Sequence, residues 1–325
     1  MNAGVRRTGP ARPGLAAFFL VGPTAVGKTT VGQRLAEQDG GGILSADSML
    51  VYRGMDVGTA KPSLAERGAA PYAGIDLAAP DEAFSVAAYR RHALETLRRA
   101  AAAGRRTLVV GGTGLYVKAL THGLAPLPPA DPAVRARWAA HHRAHGVEGL
   151  QAALRERAPA LWAALDDPRN PRRLLRALEL HAAGVAASPT GWDAPRPAAP
   201  LVGLRRSAAD LKSRIELRVS AMYRQGLIDE VARLLDRYGA LAPAARKAIG
   251  YEEAIAVLRG ACGEEEARVR TAARTRRLAR RQATWFRNQA DVRWIDVGAD
   301  DPAERVAAAV RKEWETHGAT AIADG

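Results

Sequence analysis

Eight residues near the start of the chain, Gly22-Pro23-Thr24-Ala25-Val26-Gly27-Lys28-Thr29, constrain the fold more than any others. They satisfy the pattern G-x-x-x-x-G-K-[ST] in the setting that gives it meaning. A compact apolar run, Ala16 to Val21, precedes them, and Thr29 to Gln38 follows with helical spacing through Val31 and Leu35. Strand, glycine-rich loop and helix in that order make an anion cradle. The glycines let backbone N–H groups wrap a phosphate, the helix start adds positive potential, Lys28 supplies a point charge, and the Thr29 hydroxyl suits Mg²⁺. The loop predicts a bound pyrophosphate, and leaves open whether that group belongs to a nucleotide or to another ester.

The rest of the chain extends this start into a sheet. Ile43 to Ala46 reads as a second buried strand and Arg106 to Val110 as a third, ending in Gly111-Gly112, with a long helix over Phe84 to Ala103 between them. Strands that alternate with helices imply a parallel sheet. From Asp131 to Ala187, Ala, Arg, Leu and Trp recur at helical spacing without a β-branched run, which predicts an all-helical insertion. Pro189 to Pro200 closes it, and Leu201 to Leu204 returns the chain to the sheet. Helices are expected over Ala208 to Tyr238, Arg246 to Leu258 and Glu264 to Gln289, before a last strand at Val292 to Asp296. The expected class is α/β, a P-loop NTPase-like parallel sheet flanked by helices with an all-helical insertion domain. Its divisions are a flexible extension over 1–17, the first part of the core over 18–125, the insertion over 126–200, core completion with basic helices over 201–300, and a tail over 301–325.

Composition narrows the partners. At 325 residues, 47% apolar and 25% charged, the chain can bury a real core, yet its net charge of +14 points to a polyanion. No run approaches the roughly 18 apolar residues that a membrane span needs, so nucleic acid is favoured over a membrane. The single cysteine, Cys262, excludes an intrachain disulfide or a multi-thiolate zinc site and suits a reducing compartment such as the cytoplasm. Residues 1–17, rich in Arg, Pro and Gly, raise the question of a targeting peptide, but the apolar stretch behind them runs straight into the glycine-rich loop. A monomer is the default state. Only six of the 48 basic residues are lysines, which makes each lysine informative.

Several side chains converge on the loop by position alone. Asp47 directly follows the second strand, at the sheet edge that carries the loop, where either a general base, a helix N-cap or a ligand of Mg²⁺-bound water belongs. Thr113, after Gly111-Gly112, is expected to project into the same crevice or to cap the next helix. Arg214 and Arg218 are one helical turn apart and reach either the loop's ligand or nearby Glu216. Between Arg268 and Arg287 there are eight arginines and no acidic residue, with Arg270, Arg274, Arg277 and Arg281 along one face. An unrelieved positive stripe repels itself, so a phosphate-contacting surface is the expectation. Trp285 and Phe286 close that helix, as core or as stacking platforms for bases.

The string from Asp47-Ser48-Met49-Leu50-Val51-Tyr52 through Gly58-Thr59-Ala60-Lys61-Pro62 resembles the tRNA dimethylallyltransferase family, also called isopentenyl-tRNA transferases. The likeness continues in Gly111 to Tyr116, Asp131 to Arg135, Asn170 to Glu179, Arg214 to Val219, Ile249-Gly250-Tyr251 and Arg281 to Arg287, in the family's order from about Phe18 to Trp294. Residues 1–17 and roughly the last 25 lie outside it. The resemblance implies transfer of a dimethylallyl group from dimethylallyl diphosphate to N6 of the adenosine just 3′ of the anticodon in tRNA, with Mg²⁺ assisting. Asp47 then matches the general base, while Lys28, Thr29, Thr113, Arg214 and Arg218 match positions around the diphosphate, Thr29 being the metal ligand. RNA contacts are implied for Asp47, Ser48, Met49, Leu50 and Thr113, for Arg135, Arg172 and Arg173 in an anticodon-stem clamp, and for the segment Arg246-Lys247-Ala248-Ile249-Gly250-Tyr251. The basic stripe of Arg274, Arg277 and Arg281 joins that surface. Many members carry Gln where this chain has Leu50, which offers no polar contact to a base edge.

Taken without the resemblance, the residues leave other classes open. The loop, a strand-end aspartate and Mg²⁺ would serve a small-molecule kinase equally well. A prenyltransferase acting on free adenine nucleotides shares the chemistry without needing the insertion, and a non-catalytic RNA-binding module leaves the intact loop unexplained.

Overall fold

The apolar run that opens the chain is stable as a strand because helices cover both of its faces. The computed structural model describes residues 14–186 and 199–324. The first half of the core runs β1 (Ala16–Val21), α1 (Lys28–Asp39), β2 (Gly42–Ser45), α2 (Leu64–Arg67), β3 (Tyr72–Ala73), α3 (Val86–Ala102), β4 (Thr107–Gly111) and α4 (Gly114–Thr121). Three helices, α5 (Pro132–Arg157), α6 (Pro159–Ala163) and α7 (Pro171–Ala182), come next. The chain then forms β5 (Leu201–Arg205), α8 (Ala208–Arg224), α9 (Leu227–Tyr238), α10 (Tyr251–Leu258), α11 (Glu264–Gln289), β6 (Val292–Asp296), α12 (Ala303–His317) and β7 (Thr320–Ala321).

Six strands lie parallel in the order β3-β2-β4-β1-β5-β6. β1 is central, paired with β4 along Phe18 to Val21 and with β5 at Leu20 and Val21. Alternation sends Phe19 and Val21 into one core with α3, α4 and α8 to α11, and Leu20 into a second core with α1 and α12. The crossovers from β1 lead to one side of the sheet first and to the other side later. The loop after β1 therefore sits at the switch point, where α/β sheets open a crevice at their carboxyl edge. The α/β fold expected from the alternating pattern is the fold observed.

Several boundaries differ from the sequence reading, each for a local reason. The helix expected over Ala208 to Tyr238 breaks at Gly226, whose φ of +87° is open to glycine at little cost. The one expected over Arg246 to Leu258 is a 3₁₀ turn at Ala245–Lys247 followed by α10, which starts from Gly250 at φ +102°. The tail is no appendage. α12 packs Val306, Val310 and Trp314 into the second core, Trp314 donates to the Phe19 carbonyl at 3.3 Å, and β7 pairs antiparallel with Ala16 and Ala17 of β1. Ala16 and Ala17 thus belong to the sheet rather than to a flexible extension, of which residues 1–13 lie outside the described ones. The Pro-rich stretch also lies outside them, apart from Ala199 and Pro200.

The described residues fall into two compact units, one within 1–123 and 195–325 and the other within 124–194. The second has its own core of Trp138, Leu150, Leu154, Leu174 and Leu178, and α5 within it is interrupted at Gly146, where φ is +66°. Asp131 and Asn170 start its two longer helices, each accepting backbone N–H bonds on its side-chain oxygen.

Candidate active site

The glycine-rich loop is held by its carbonyls. Lys28 donates to the carbonyls of Gly22 (2.9 Å) and Pro23 (2.6 Å), Arg214 to Ala25 (2.9 Å) and Arg206 to Val26 (3.0 Å). Three cations thus fix four of the loop's carbonyls, on either side of Thr24. Gly22 is obligatory for a further reason: at φ +138° a Cβ would sit 2.5 Å from the Leu204 carbonyl oxygen. Gly27, at φ +109°, begins α1 without a side-chain cap, and no acidic residue occupies the first turn, so the potential of the helix start stays positive.

A cavity of about 340 Å³ lies on this loop. Lys28, Thr29, Arg214 and Arg218 line it from one direction, Asp47 and Ser45 at the end of β2 from another, with Leu50, Val110 and Leu217 as its apolar portion. Asp47 does not cap a helix. Its Oδ1 accepts the Met49 N–H at 2.9 Å, a local turn that aims the carboxyl from the sheet edge. Arg218 is braced by the Thr59 carbonyl at 3.0 Å.

Electrostatics couple these groups. Burial lowers the Lys28 ammonium to about 7, with Asp47 opposing the shift and Arg218 adding to it. Burial also lowers Arg218, against the pull of Asp47, and lowers Arg214, where Arg206 reinforces the effect. Guanidinium remains charged through such shifts, whereas the lysine is brought to the edge of titration at neutral pH. Three half-buried cations facing one carboxylate form a site that gains when an anion arrives.

Thr113 reaches the residue next to Asp47. It neither caps α4 with its hydroxyl nor lines the cavity. Its Oγ1 accepts the Ser48 N–H at 3.0 Å, and its own N–H donates to Ala46, so it holds the backbone on either side of Asp47. Glu216 turns to Arg276 at 3.3 Å, which leaves Arg214 and Arg218 to the loop and the cavity.

The basic stripe is also less bare than its sequence. Carboxylates from its own first turn and from other helices reach it: Glu265 meets Arg268, Glu266 meets Arg270, Glu253 and Glu252 meet Arg274 at 2.7 and 3.2 Å, and Glu216 meets Arg276. Exposed Arg277, Arg280, Arg281 and Arg287 have no ion-pair partner among the described residues. Phe286 is buried, and Trp285 packs where a Cβ on Gly114 would come within 2.3 Å of its ring, so both serve the core. In the segment before α10, Arg246 and Lys247 are exposed, Ile249 is half-buried, and Ala248, Gly250 and Tyr251 are buried, which removes the last three side-chain positions from any outer surface. Arg135 spans both oxygens of buried Glu179 at 2.6 and 3.1 Å, while Arg172 and Arg173 lie exposed at the start of α7, Arg173 beside Asp166.

Two contributors escaped the sequence reading. Gln282 of α11 accepts the Thr24 N–H at 2.8 Å and donates to the Gly112 carbonyl at 3.0 Å, stapling the loop to the end of β4. Arg206 is the second. The one amide between Arg268 and Arg287 was the available signal for the first, and the arginine directly after β5 for the second.

The arrangement is that of an α/β protein with a P-loop NTPase-like fold and a cation-lined cavity at its switch point. The chain belongs to the IPP transferase family, whose model matches residues 50–289. A tRNA dimethylallyltransferase from Symbiobacterium thermophilum is 41% identical over 304 residues, covering 91% of this chain and 95% of its own. Another, from Anaeromyxobacter dehalogenans, is 43% identical over 281 residues, covering 85% and 93%. The crystal structure of full-length tRNA isopentenylpyrophosphate transferase from Bacillus halodurans is similar at a TM-score of 0.67 and 37% identity, over 93% of this chain and 97% of that one. A eukaryotic dimethylallyltransferase captured acting on tRNA shares the fold, with a TM-score of 0.68 at 20% identity over 93% of this chain and 76% of its own.

Proposed function

We propose that this chain transfers the dimethylallyl group of dimethylallyl diphosphate to N6 of the adenosine immediately 3′ of the anticodon in tRNA. The observation that carries the reading is a cavity in which Asp47 is lined up with Lys28, Arg214 and Arg218. Ionisation of an allylic diphosphate loads negative charge onto the departing group, and fixed cations around it stabilise that change where it occurs. Leu50, Val110 and Leu217 offer apolar lining to a five-carbon chain. Asp47 accepts the proton from the adenine amine as nitrogen attacks the allylic carbon.

The donor set suits Mg²⁺. The described residues contain no cluster of three or more His, Cys, Asp or Glu able to cage a metal, so the ion would rest on the Thr29 hydroxyl, diphosphate oxygens and water, the hydrated mode that Mg²⁺ favours. Bound there, it would neutralise charge on the leaving diphosphate. Its target base is stacked in a loop and has to be extruded, which single-stranded RNA permits at low cost. Exposed Arg277, Arg280 and Arg281 on α11 with Arg246 and Lys247 in one unit, and separately Arg172 and Arg173 in the other, offer phosphate contacts to the RNA.

Release of inorganic pyrophosphate from dimethylallyl diphosphate tests the reading. Release should require unmodified tRNA. Release without RNA, or phosphoryl transfer from ATP to a small acceptor, would replace it with one of the other P-loop chemistries.

A further inference from the structure

One buried carboxylate lies outside the cavity and is used by nothing above. Glu230, in the first turn of α9, is 3% exposed and carries four hydrogen bonds. Its Oε2 accepts the N–H groups of Asp56 (2.9 Å) and Val57 (2.7 Å), and its Oε1 accepts the Gly58 N–H (3.1 Å) and the Tyr251 hydroxyl (2.6 Å). Three successive backbone donors converging on one carboxylate is an anion nest built from the chain itself. Packing seals it: a Cβ on Gly58 would lie 2.4 Å from the Tyr251 ring and 2.7 Å from Leu227.

The loop so held ends at the active-site wall. Thr59, one residue beyond Gly58, gives its carbonyl to Arg218, and Thr59 and Ala60 line the cavity. On the other side, Tyr251 begins α10 directly behind the exposed Arg246 and Lys247. Glu230 is therefore one hydrogen bond from the segment that carries exposed cations and a short backbone path from an arginine of the cation cluster.

We propose that Glu230 is a positioning residue: through the 56–59 loop it fixes Arg218 at the diphosphate, and through Tyr251 it ties that placement to the start of α10. The proposal rests on the reading of the cavity as a diphosphate site. Replacing the carboxylate by an amide keeps the shape, yet the amide nitrogen donates where the loop N–H groups also donate, so the nest is broken. Removing the tyrosine hydroxyl loosens it by one bond and leaves the three backbone bonds in place.

The test is the affinity of the full-length protein for inorganic pyrophosphate with Mg²⁺, measured by calorimetry on wild type, Glu230→Gln, Tyr251→Phe, and each of these combined with Arg218→Ala. Glu230→Gln should weaken binding roughly tenfold, the order by which outer-shell partners of a bound group act, with Tyr251→Phe weakening it less. Neither change should add to the loss caused by Arg218→Ala, because both act through that arginine. A merely structural Glu230 would lower the melting temperature while the folded protein bound pyrophosphate as wild type does, and that result overturns the proposal, as does full additivity with Arg218→Ala. Should Glu230→Gln fail to fold, the Tyr251→Phe pair alone decides by the same criteria. Wild type that binds no pyrophosphate would instead overturn the diphosphate reading beneath it.

Discussion

Lys28 is poised to titrate. Desolvation brings its ammonium to about 7, and a diphosphate beside it would raise that value again. The group is charged below about 7 and loses its proton above, so binding of the anion takes up a proton as pH rises past that point. Pyrophosphate affinity compared between wild type and Lys28→Met should show a wild-type advantage that shrinks by up to about tenfold per pH unit above 7. A constant advantage from pH 6 to 9 would mean that the lysine is charged throughout. Asp47 makes a separate prediction. Asp47→Asn keeps the size and the bond to Met49 but removes the base, so single-turnover prenyl transfer should fall by roughly 10² to 10⁴ with little change in tRNA affinity. A loss that extra Mg²⁺ restores would make Asp47 a metal-shell residue instead. The positions of Lys28 and Asp47 were legible because the loop and the strand end place them independently of distant contacts, whereas spacing alone left Arg214 and Arg218 between the loop's ligand and Glu216. The hydroxyl of Thr113 was not, since its partner, Ser48, lies on a different crossover.

Helix α11 separates its arginines by what faces them. Arg274 is engaged by buried Glu253, which also holds the Gly250 N–H at the start of α10, whereas Arg277 and Arg281 are exposed without a carboxylate among the described residues. Arg277→Ala with Arg281→Ala should flatten the salt dependence of tRNA binding by about 0.7 to 0.9 in log–log slope per lost phosphate contact, with stability unchanged. Arg274→Ala should instead cost about 1 to 3 kcal/mol of unfolding free energy, as it strips a charged partner from a buried acceptor. Equal salt slopes for wild type and the double variant would make the outer stripe an ordinary solvated face. The sequence shows eight arginines in a row of turns and hides their counter-ions, because Glu216 and Glu253 belong to other helices. The same blindness to long range explains α12 and β7. Their apolar positions acquire meaning only once β1 offers them an edge and a face, and two-residue β3 is too short to leave a periodic signal. Breaks at Gly226 and Gly250 fall within runs whose helical spacing continues through them.

At the scale of the molecule, a net charge of +14 and a cation-lined cavity of about 340 Å³ answer two different anions, one polymeric and one small. No helix among the described residues is long and apolar enough to cross a membrane. The core within 1–123 and 195–325 carries the whole cavity, while the unit within 124–194 has its own apolar centre and exposed arginines at the start of α7. Prenyl transfer to tRNA by that core yields one defined product. The full-length protein should be incubated with an unmodified tRNA that has adenosine 3′ of its anticodon, with Mg²⁺ and dimethylallyl diphosphate, and the RNA digested to nucleosides for mass analysis. The expected product is adenosine carrying one five-carbon prenyl unit on N6, formed once per tRNA and absent when that adenosine is replaced by another base. Recovery of unaltered adenosine from a protein that binds both tRNA and pyrophosphate would contradict it.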